Sequence, residues 1–333
     1  MPGELTEVTE IATALGMLVP SLHEALEARP PELSNVSDDA WARLVASAGN
    51  PSYATSFDTA FNNGRAFLEA SQALRGRKPL RVEWKGPHRS PGDDVIPADL
   101  RIDHVFLVSC KYLSRVLLNP GPQRLFERLL VGEQRGDTNW FMHCAPNEFQ
   151  AFYEAAVAFG DLKNLPTRVI DLSKAQQHVL KQTFSGRALP ADLAGPWSDL
   201  CMAVASRSAR RWNEALTTKN IKLRLLWRML RISGAAYFVL GTDKSAHLRL
   251  RVDSAWDWSQ MYELRNLTVT ARPAGQPEVG WNATVRGKLD GADISIDGHV
   301  EIRWSHGRFV GAPESKVYLD TPHARVPGYH PLT

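Results

Sequence analysis

The residues of this chain that are best suited to chemistry lie in one short stretch, residues 97–111. Asp99 lies at the start of one short apolar run, and Ser109-Cys110-Lys111 ends the next. Two such runs with a brief connection predict a pair of antiparallel strands. Side chains two apart on a strand share a face, so we expect Ser109 and Lys111 to point the same way.

This stretch resembles the active-site hairpin of the PD-(D/E)XK nuclease superfamily, which has the restriction-endonuclease-like fold. In that family an aspartate on one strand and an acid-x-Lys triplet on the next meet at one end of the sheet. The resemblance implies that Asp99 binds Mg²⁺ (or Mn²⁺), that the Cys110 carbonyl completes the metal shell, and that Lys111 positions or activates the attacking water. Ser109 departs from the pattern, because the family usually has Asp or Glu at that position.

A second carboxylate must therefore come from elsewhere. Some branches of the family also carry Ser-x-Lys and recruit the missing acid from a helix. Glu69, on a predicted helix before the first strand, and Glu127, on one after the third, are the candidates. We favour Glu69, because a helix preceding the hairpin often contributes an acid in this superfamily. Glu83, on the first predicted strand, is left a secondary role, and Asp103 is interpreted as a turn residue.

An alternative interpretation needs no site at all, because an Asp followed by Ser-x-Lys also arises by chance. Asp99 is then a turn residue and Lys111 a solvated cation at a strand end. The apolar run 105–108, which leads directly into the triplet, and an order of elements like that of the family core favour the nuclease interpretation.

The elements that must position these residues belong to four predicted regions. Ser37 is expected to cap a helix in the first, the runs 80–84, 98–102 and 104–110 predict strands in the second, and 167–172 predicts a buried strand there. We therefore expect an α/β protein with a restriction-endonuclease-like mixed sheet flanked by helices. The predicted regions are an acidic helical segment (1–54), a nuclease-like α/β core (55–185), a basic helical linker (186–233) and a β-rich recognition or partner domain (234–333).

The formal net charge of +3 conceals a segregation of charge. Acidic residues dominate up to Asp58, whereas basic residues dominate from 207 to 231. Such a basic patch suits a polyanion. Bases alternate with apolar residues over 219–232, so Arg224 and Arg228 are expected to contact phosphates without reading sequence.

Arg303 and Arg308 lie around a predicted strand end and turn in the β-rich region. They are candidates for reading bases or phosphates, and a salt-bridged turn is an equally good interpretation. Two Asp-Gly pairs, at 290 and 297, predict hairpin turns in the same region.

Several classes of protein are excluded by what the sequence lacks. No run approaches the roughly 20 apolar residues of a membrane span, and the N-terminus lacks the basic region of a secretory signal. Three widely spaced cysteines argue against a disulfide framework and against a Cys-based zinc site. We expect a cytoplasmic protein with no membrane partner.

The expected partner is nucleic acid, with DNA preferred. The resemblance implies a Mg²⁺-dependent endodeoxyribonuclease in a prokaryotic restriction or phage-defence setting. An RNase of the same fold, and a non-catalytic nucleic-acid-binding or assembly subunit in which Ser109 marks a decayed site, stay open as alternatives. A homodimer and a subunit of a defence complex are both compatible with this interpretation.

Overall fold

The computed structural model describes most of the chain, which divides into two compact units that are each discontinuous in sequence. The first unit comprises Met1–Arg115, Arg231–Tyr262 and His323–Thr333, and the second comprises Val116–Leu230 and Glu263–Pro322. These units cut across the four predicted regions, because the acidic N-terminal segment and part of the predicted β-rich domain both belong to the first unit. The described residues are 2–86, 97–112, 117, 121–123, 125, 139–186, 188–243, 246–272 and 275–333.

Seven described strands of the first unit form one mixed sheet, in the order β1-β2-β3-β4-β5-β6-β11. The central strands β2, β3 and β4 are antiparallel neighbours, and the sequence predicts the β3–β4 pair among them, whereas β4 pairs with β5 in parallel. The protein is thus a mixed α/β protein. The strands are β1 (Leu33–Ser34), β2 (Val82–Trp84), β3 (Leu100–Ile102), β4 (Phe106–Lys111), β5 (Tyr237–Asp243), β6 (Ala246–Val252) and β11 (Tyr329–Pro331).

Helices before β2 provide the hydrophobic partner of this sheet. Ser37 caps α3 as predicted, since its Oγ accepts a hydrogen bond from the Ala40 N–H at 3.2 Å. The described helices of the first unit are α1 (Pro2–Leu18), α2 (Leu22–Glu27), α3 (Asp38–Ala48), α4 (Ala54–Glu69) and α10 (Ala255–Met261).

Two glycines let α1 and α4 approach closely. A Cβ on Gly16 would lie 2.1 Å from the Phe61 carbonyl oxygen, and one on Gly64 would lie 2.1 Å from the Thr13 carbonyl oxygen. Residues 8–18 of α1 are consequently all buried. The apolar side chains of α1 and α4 share one core with those of β2, β3 and β4, so this packing fixes α1 against the strands of the hairpin.

The second unit contains a separate antiparallel sheet of four described strands, in the order β10-β9-β8-β7. Its core is rich in aromatic rings, and Phe141 and Phe149 both pack on Trp304. The strands are β7 (Tyr262–Ala271), β8 (Glu278–Gly287), β9 (Asp293–Arg303) and β10 (Glu314–Leu319). The described helices are α5 (Trp140–Cys144), α6 (Pro146–Phe159), α7 (Lys174–Thr183), α8 (Ala194–Ala215) and α9 (Lys219–Met229).

Two local predictions for this unit are wrong. The run 167–172 forms only a 3₁₀ turn at Val169–Asp171, because Val169 is buried while its neighbour Ile170 is exposed. The second Asp-Gly pair lies inside β9, where the Trp281 ring packs over Gly298 so closely that a Cβ would lie 2.2 Å from it. The predicted helix that carries Glu127 extends outside the described residues.

Within the part of the chain that the structure describes, none of the helices has the length and apolar character needed to cross a membrane.

Candidate active site

The backbone of Asp99 is held from both sides at the end of β3. Its N–H donates to the Val108 carbonyl of β4 at 2.8 Å, and its own carbonyl accepts from the Lys85 N–H, just beyond β2, at 2.8 Å. The ladder then stops, since the last residue pair of β3 and β4 is Leu100 with Val108. Asp99 therefore lies where the central strands diverge.

The Asp99 side chain turns back onto β4. Its Oδ2 accepts a hydrogen bond of 2.6 Å from the Cys110 N–H and one of 3.3 Å from the Ser109 hydroxyl, and the residue is only 8 % exposed. In an extended strand the N–H and C=O of one residue leave the same edge, so the Cys110 carbonyl leaves β4 on the side of β3.

Lys111 is the last residue of β4 and pairs with Gly241 of β5. Side-chain alternation places it on the face that carries Ser109 and therefore Asp99. A Cβ on Gly241 would lie 2.0 Å from the Lys111 carbonyl oxygen, so only glycine permits the two backbones to lie this close. The hairpin thus brings Asp99, Ser109 and Lys111 to one end of the sheet, as the sequence predicts.

A carboxylate from α1 lies at the same end of the sheet. Glu10 is 9 % exposed, and its Oε2 accepts a hydrogen bond of 2.7 Å from the indole N–H of Trp84. Trp84 is the last residue of β2 and is paired with Leu100 of β3. The sequence analysis did not name Glu10 as a candidate.

The Cys110 thiol is influenced by the charges of several of these groups. Burial raises the pKa of this thiol well above its usual value, and the charges of Asp99 and Glu10 raise it further. The charge of Lys111 and a hydrogen bond with Thr13 act in the opposite direction. Two carboxylates and an ammonium group therefore act on one buried atom, and the thiol itself stays protonated at neutral pH.

A chain of polar side chains continues from this site between the helices and the sheet. The hydroxyls of Thr13 and Tyr112 lie 2.6 Å apart, and the Asn63 amide donates to the Gly241 carbonyl at 2.9 Å. Arg249 in turn donates to the Asn63 side-chain oxygen at 2.7 Å. These bonds hold the C-terminal end of β4 and its partner β5 against α1 and α4, which fixes the position of Lys111.

The helix acid favoured by the sequence analysis lies elsewhere. Asn63 of α4 contacts the Lys111 end of the sheet, whereas Phe67 packs on Phe106 at the opposite end of β4. Glu69 follows Phe67, is exposed, and pairs with Arg65 at 3.4 Å. The structure therefore does not bring Glu69 to Asp99, and the alternative Glu127 lies outside the described residues.

Two other acids have structural partners. Arg101 forms two hydrogen bonds with Glu83, of 2.6 and 2.9 Å. This pairing lowers the pKa of Glu83, although burial acts against it. Asp103 and His104 both adopt left-handed backbone angles in the turn after β3, with φ of 49° and 59°. Asp103 is thus a turn residue, as predicted.

The donor set suits a hard cation. No group of three or more His, Cys, Asp and Glu side chains is arranged for metal binding among the described residues. Mg²⁺ does not need such a cage, because one or two carboxylates with water and substrate phosphates suffice. Glu10, Asp99 and the Cys110 carbonyl offer oxygen ligands, and the protonated Cys110 thiol is unsuited to Zn²⁺. The residues therefore fit Mg²⁺ or Mn²⁺.

The basic residues of α9, the helix predicted to bind phosphates, differ in exposure and in ion pairing. Arg224 is exposed and forms no ion pair with any described residue, whereas Arg228 is half-buried and its Nε has no hydrogen-bond partner among them. Lys219, at the start of the helix, pairs with Glu263. Arg224 is thus better placed than Arg228 to meet phosphates.

Arg303 and Arg308 also differ. Arg303 lies 3.2 Å from the Glu301 carboxylate. Arg308 donates from Nη1 to the carbonyls of Phe184 and Gly186, each at 3.1 Å, so this guanidinium holds a loop in place. The structure therefore gives Arg308 a structural role, and its role in reading bases or phosphates stays a prediction.

Comparisons of the chain with protein-family models, with curated proteins and with solved structures each gave no match.

Proposed function

We propose that this chain is a Mg²⁺-dependent nuclease of the restriction-endonuclease-like type, with DNA as its preferred substrate. The observation that carries the proposal is the meeting of Asp99, Ser109 and Lys111 at one end of a β-hairpin. Glu10 of α1 lies at the same end of the sheet, through its hydrogen bond with Trp84, and in this proposal it supplies the second acid. An Asp on one strand and a Lys two residues after a Ser on the next is the arrangement that the family uses when a helix supplies the second acid.

Each residue has a distinct role in this proposal. Glu10, Asp99 and the Cys110 carbonyl would hold the metal ion, which when bound lowers the pKa of water and polarises the phosphodiester. Ser109 donates to Asp99 and so orients that carboxylate, rather than serving as the missing acid. Lys111 stabilises the negative charge that develops on the phosphate oxygens.

The reaction is a hydrolysis with water as the only co-reactant. The oxygen of the attacking water bonds to phosphorus, one bridging P–O bond breaks, and the leaving oxygen takes up a proton. Lys111 orients the water and keeps its own charge through the step. The preference for DNA, and a restriction or phage-defence setting, follow from the family resemblance.

A cleavage assay tests the proposal. We expect the full chain to nick or linearise supercoiled plasmid with Mg²⁺ or Mn²⁺, and EDTA to stop the reaction. Asp99→Asn and Lys111→Ala should each abolish cleavage with the fold retained, because both groups act on charge rather than on packing. Lys78→Ala removes a lysine that pairs with Glu32 at 2.6 Å on the same unit, and should cleave like the wild type.

Single-stranded DNA and a structured RNA belong in the same assay. Cleavage of RNA alone would identify an RNase with the same residues. Nucleic-acid binding without cleavage of any substrate would instead favour the non-catalytic subunit, for which Ser109 in place of an acid is the supporting observation. Wild-type rates in Asp99→Asn or Lys111→Ala would overturn the assignment of the site.

A further inference from the structure

The second unit contains a cavity of about 700 Å³ that the proposed nuclease site does not use. This volume lies in the range of roughly 300–1,000 Å³ that is typical of small-molecule sites. Its wall includes Lys181, Arg303, His306 and Lys316, and none of the residues lining it is an acid. The cavity is therefore strongly cationic.

Two of its cations are available to a ligand. Lys181 and Lys316 form no ion pair with any described residue. Two acids that are not part of the wall contact other residues of it: Glu301 pairs with Arg303 at 3.2 Å, and Glu314 lies 3.8 Å from His306.

The backbone brings one lysine over the cavity. A Cβ on Gly307, which has φ of +109°, would lie 2.9 Å from Cγ of Lys181. The stem of the Lys181 side chain thus lies across Gly307, and any larger residue at position 307 would push the lysine aside. Arg308 fixes the adjacent wall through its hydrogen bonds to Phe184 and Gly186.

The wall also offers aromatic surface. Trp197 and Trp304 both line the cavity and are half-buried, with ring centroids 6.1 Å apart and planes inclined by 23°. Trp197 is held by a hydrogen bond of 2.9 Å from its indole N–H to the Gly275 carbonyl. Indole faces stack on nucleobases without selecting among them.

We propose that this cavity binds a nucleoside phosphate, with the phosphate on Lys181, Arg303 and Lys316 and the base against the two indoles. The combination of cations without acids and fixed aromatic rings matches a ligand that is both anionic and aromatic. The ligand is a free nucleotide or the phosphorylated terminal nucleotide of a strand, which share this chemistry. The inference concerns a cavity separate from the nuclease site and does not rest on it.

Titration of the full chain in EDTA tests the proposal without any cleavage. Adenosine and guanosine mono- and triphosphates, the unphosphorylated nucleosides and inorganic phosphate are added in turn, with calorimetry and tryptophan fluorescence as readouts. We expect the nucleotides to bind and to quench the tryptophan fluorescence. The nucleosides lack the phosphate that would contact the lysines, and inorganic phosphate lacks the base that would contact the indoles, so both should bind at least about tenfold more weakly.

Variants assign the binding to the cavity. Lys181→Ala and Lys316→Ala should each weaken nucleotide binding by about tenfold, since each removes a charge-assisted contact. Lys163→Ala is the matched control, because Lys163 is an exposed lysine of the same unit that pairs with Asp161. A 5′-phosphorylated oligonucleotide and its 5′-hydroxyl form distinguish a strand end from a free nucleotide.

Preference for the 5′-phosphorylated strand, lost in the lysine variants, would identify the strand end, and binding of nucleotides alone would identify the free ligand. The proposal is overturned if neither source binds at millimolar concentration, or if the double variant Lys181→Ala, Lys316→Ala binds as the wild type does. If inorganic phosphate bound as tightly as the nucleotides, the indoles would contribute nothing to binding, which would contradict the proposed contact between them and the base. Asp99→Asn should bind normally, which separates this result from failure of the nuclease assignment.

Discussion

Glu10 is the acid that sequence reasoning missed, although a signal for it exists. It lies in an acidic N-terminal segment that suggests a solvated helix, yet residues 8–18 are all buried. Thr9, Glu10 and Thr13 are the buried polar residues that interrupt this otherwise apolar stretch. Polar groups on a buried helix need partners. No local motif connects Glu10 with Asp99, because only the packing of α1 on the sheet brings Glu10 to the Trp84 end of the strands.

Ser109→Ala should slow cleavage less than Glu10→Gln does. The Ser109 hydroxyl only orients Asp99, so its loss should slow cleavage by about tenfold. If Glu10 is a ligand of the proposed metal ion, Glu10→Gln removes a charge there and should slow cleavage on the order of 100-fold. Single-turnover cleavage at saturating Mg²⁺ measures both. A larger loss in Ser109→Ala than in Glu10→Gln would assign the missing ligand to the serine itself.

Cys110 should be inert in the folded protein. Burial and the two nearby carboxylates raise the pKa of its thiol, so almost no thiolate is present at about pH 8. Alkylation with iodoacetamide followed by peptide mass mapping should leave Cys110 unmodified, and should modify it after unfolding in urea. Rapid alkylation of Cys110 in the folded protein would show that the carboxylates do not enclose this position.

The elements that depend on local signals were predictable, and those that depend on distant pairing were not. The serine that caps α3 and the hairpin of β3 and β4 follow from short patterns, and the structure confirms both. The β-rich character of the region that contains β5 and β6 was also predictable. The place of these strands was not, because β5 pairs in parallel with β4, for example through Ser109 and Val239, although residues 112–236 separate the two strands in sequence. Nothing in a strand's own sequence specifies such a partner.

The cross-strand pair of Glu83 and Arg101 should make the stability of the first unit depend on pH. The pKa of Glu83 is lowered in the folded state from 4.5, so the pair stabilises the protein above that pH. This contribution is lost as the pH falls through the folded-state pKa. Arg101→Ala should therefore lower the free energy of unfolding by about 1–2 kcal/mol at pH 7, and by much less at about pH 3.

Urea unfolding followed by tryptophan fluorescence measures the difference. Arg43→Ala serves as the control, because Arg43 pairs with Glu7 at 3.0 Å but is itself well exposed, and it should change the unfolding midpoint little. An effect of Arg101→Ala that is equally large at both pH values would mean that Arg101 acts through packing rather than through the charge of Glu83.

The arrangement of the chain as a whole explains why the domain boundaries could not be predicted. The first unit is completed by Arg231–Tyr262, which lies in sequence between the two segments of the second unit, and by His323–Thr333, which follows them. A composition change at residue 234 marks a real switch from helices to strands. It does not show that the first of those strands belong to the sheet of the hairpin, because both sheets are built from runs of the same character.

The basic stretch 207–231 is partly neutralised within the second unit, which limits what it can contribute to binding. Arg207 pairs with Glu148 at 2.9 Å and Arg210 lies 3.7 Å from Glu214, whereas Arg224 is exposed. Arg224→Ala should weaken binding to all DNA sequences alike. It should also lower the slope of log affinity against log salt by about 0.9, the value for one phosphate contact on duplex DNA.

Fluorescence anisotropy with a labelled duplex at several salt concentrations measures this slope, with Arg210→Ala as the control. Arg210 lies beside an acid of its own helix, so its loss should change the slope less. Unchanged slopes in Arg224→Ala would remove α9 from the surface that binds DNA.

The rate of Mg²⁺-dependent plasmid cleavage by Glu10→Gln, set beside Glu69→Gln, tests most directly whether α1 completes a nuclease site with Asp99 and Lys111. Glutamine can still accept the hydrogen bond from Trp84, so the fold should be retained while the charge is lost. We predict a fall on the order of 100-fold for Glu10→Gln and the wild-type rate for Glu69→Gln. Wild-type cleavage by Glu10→Gln, or no metal-dependent cleavage by the wild type itself, would contradict this account.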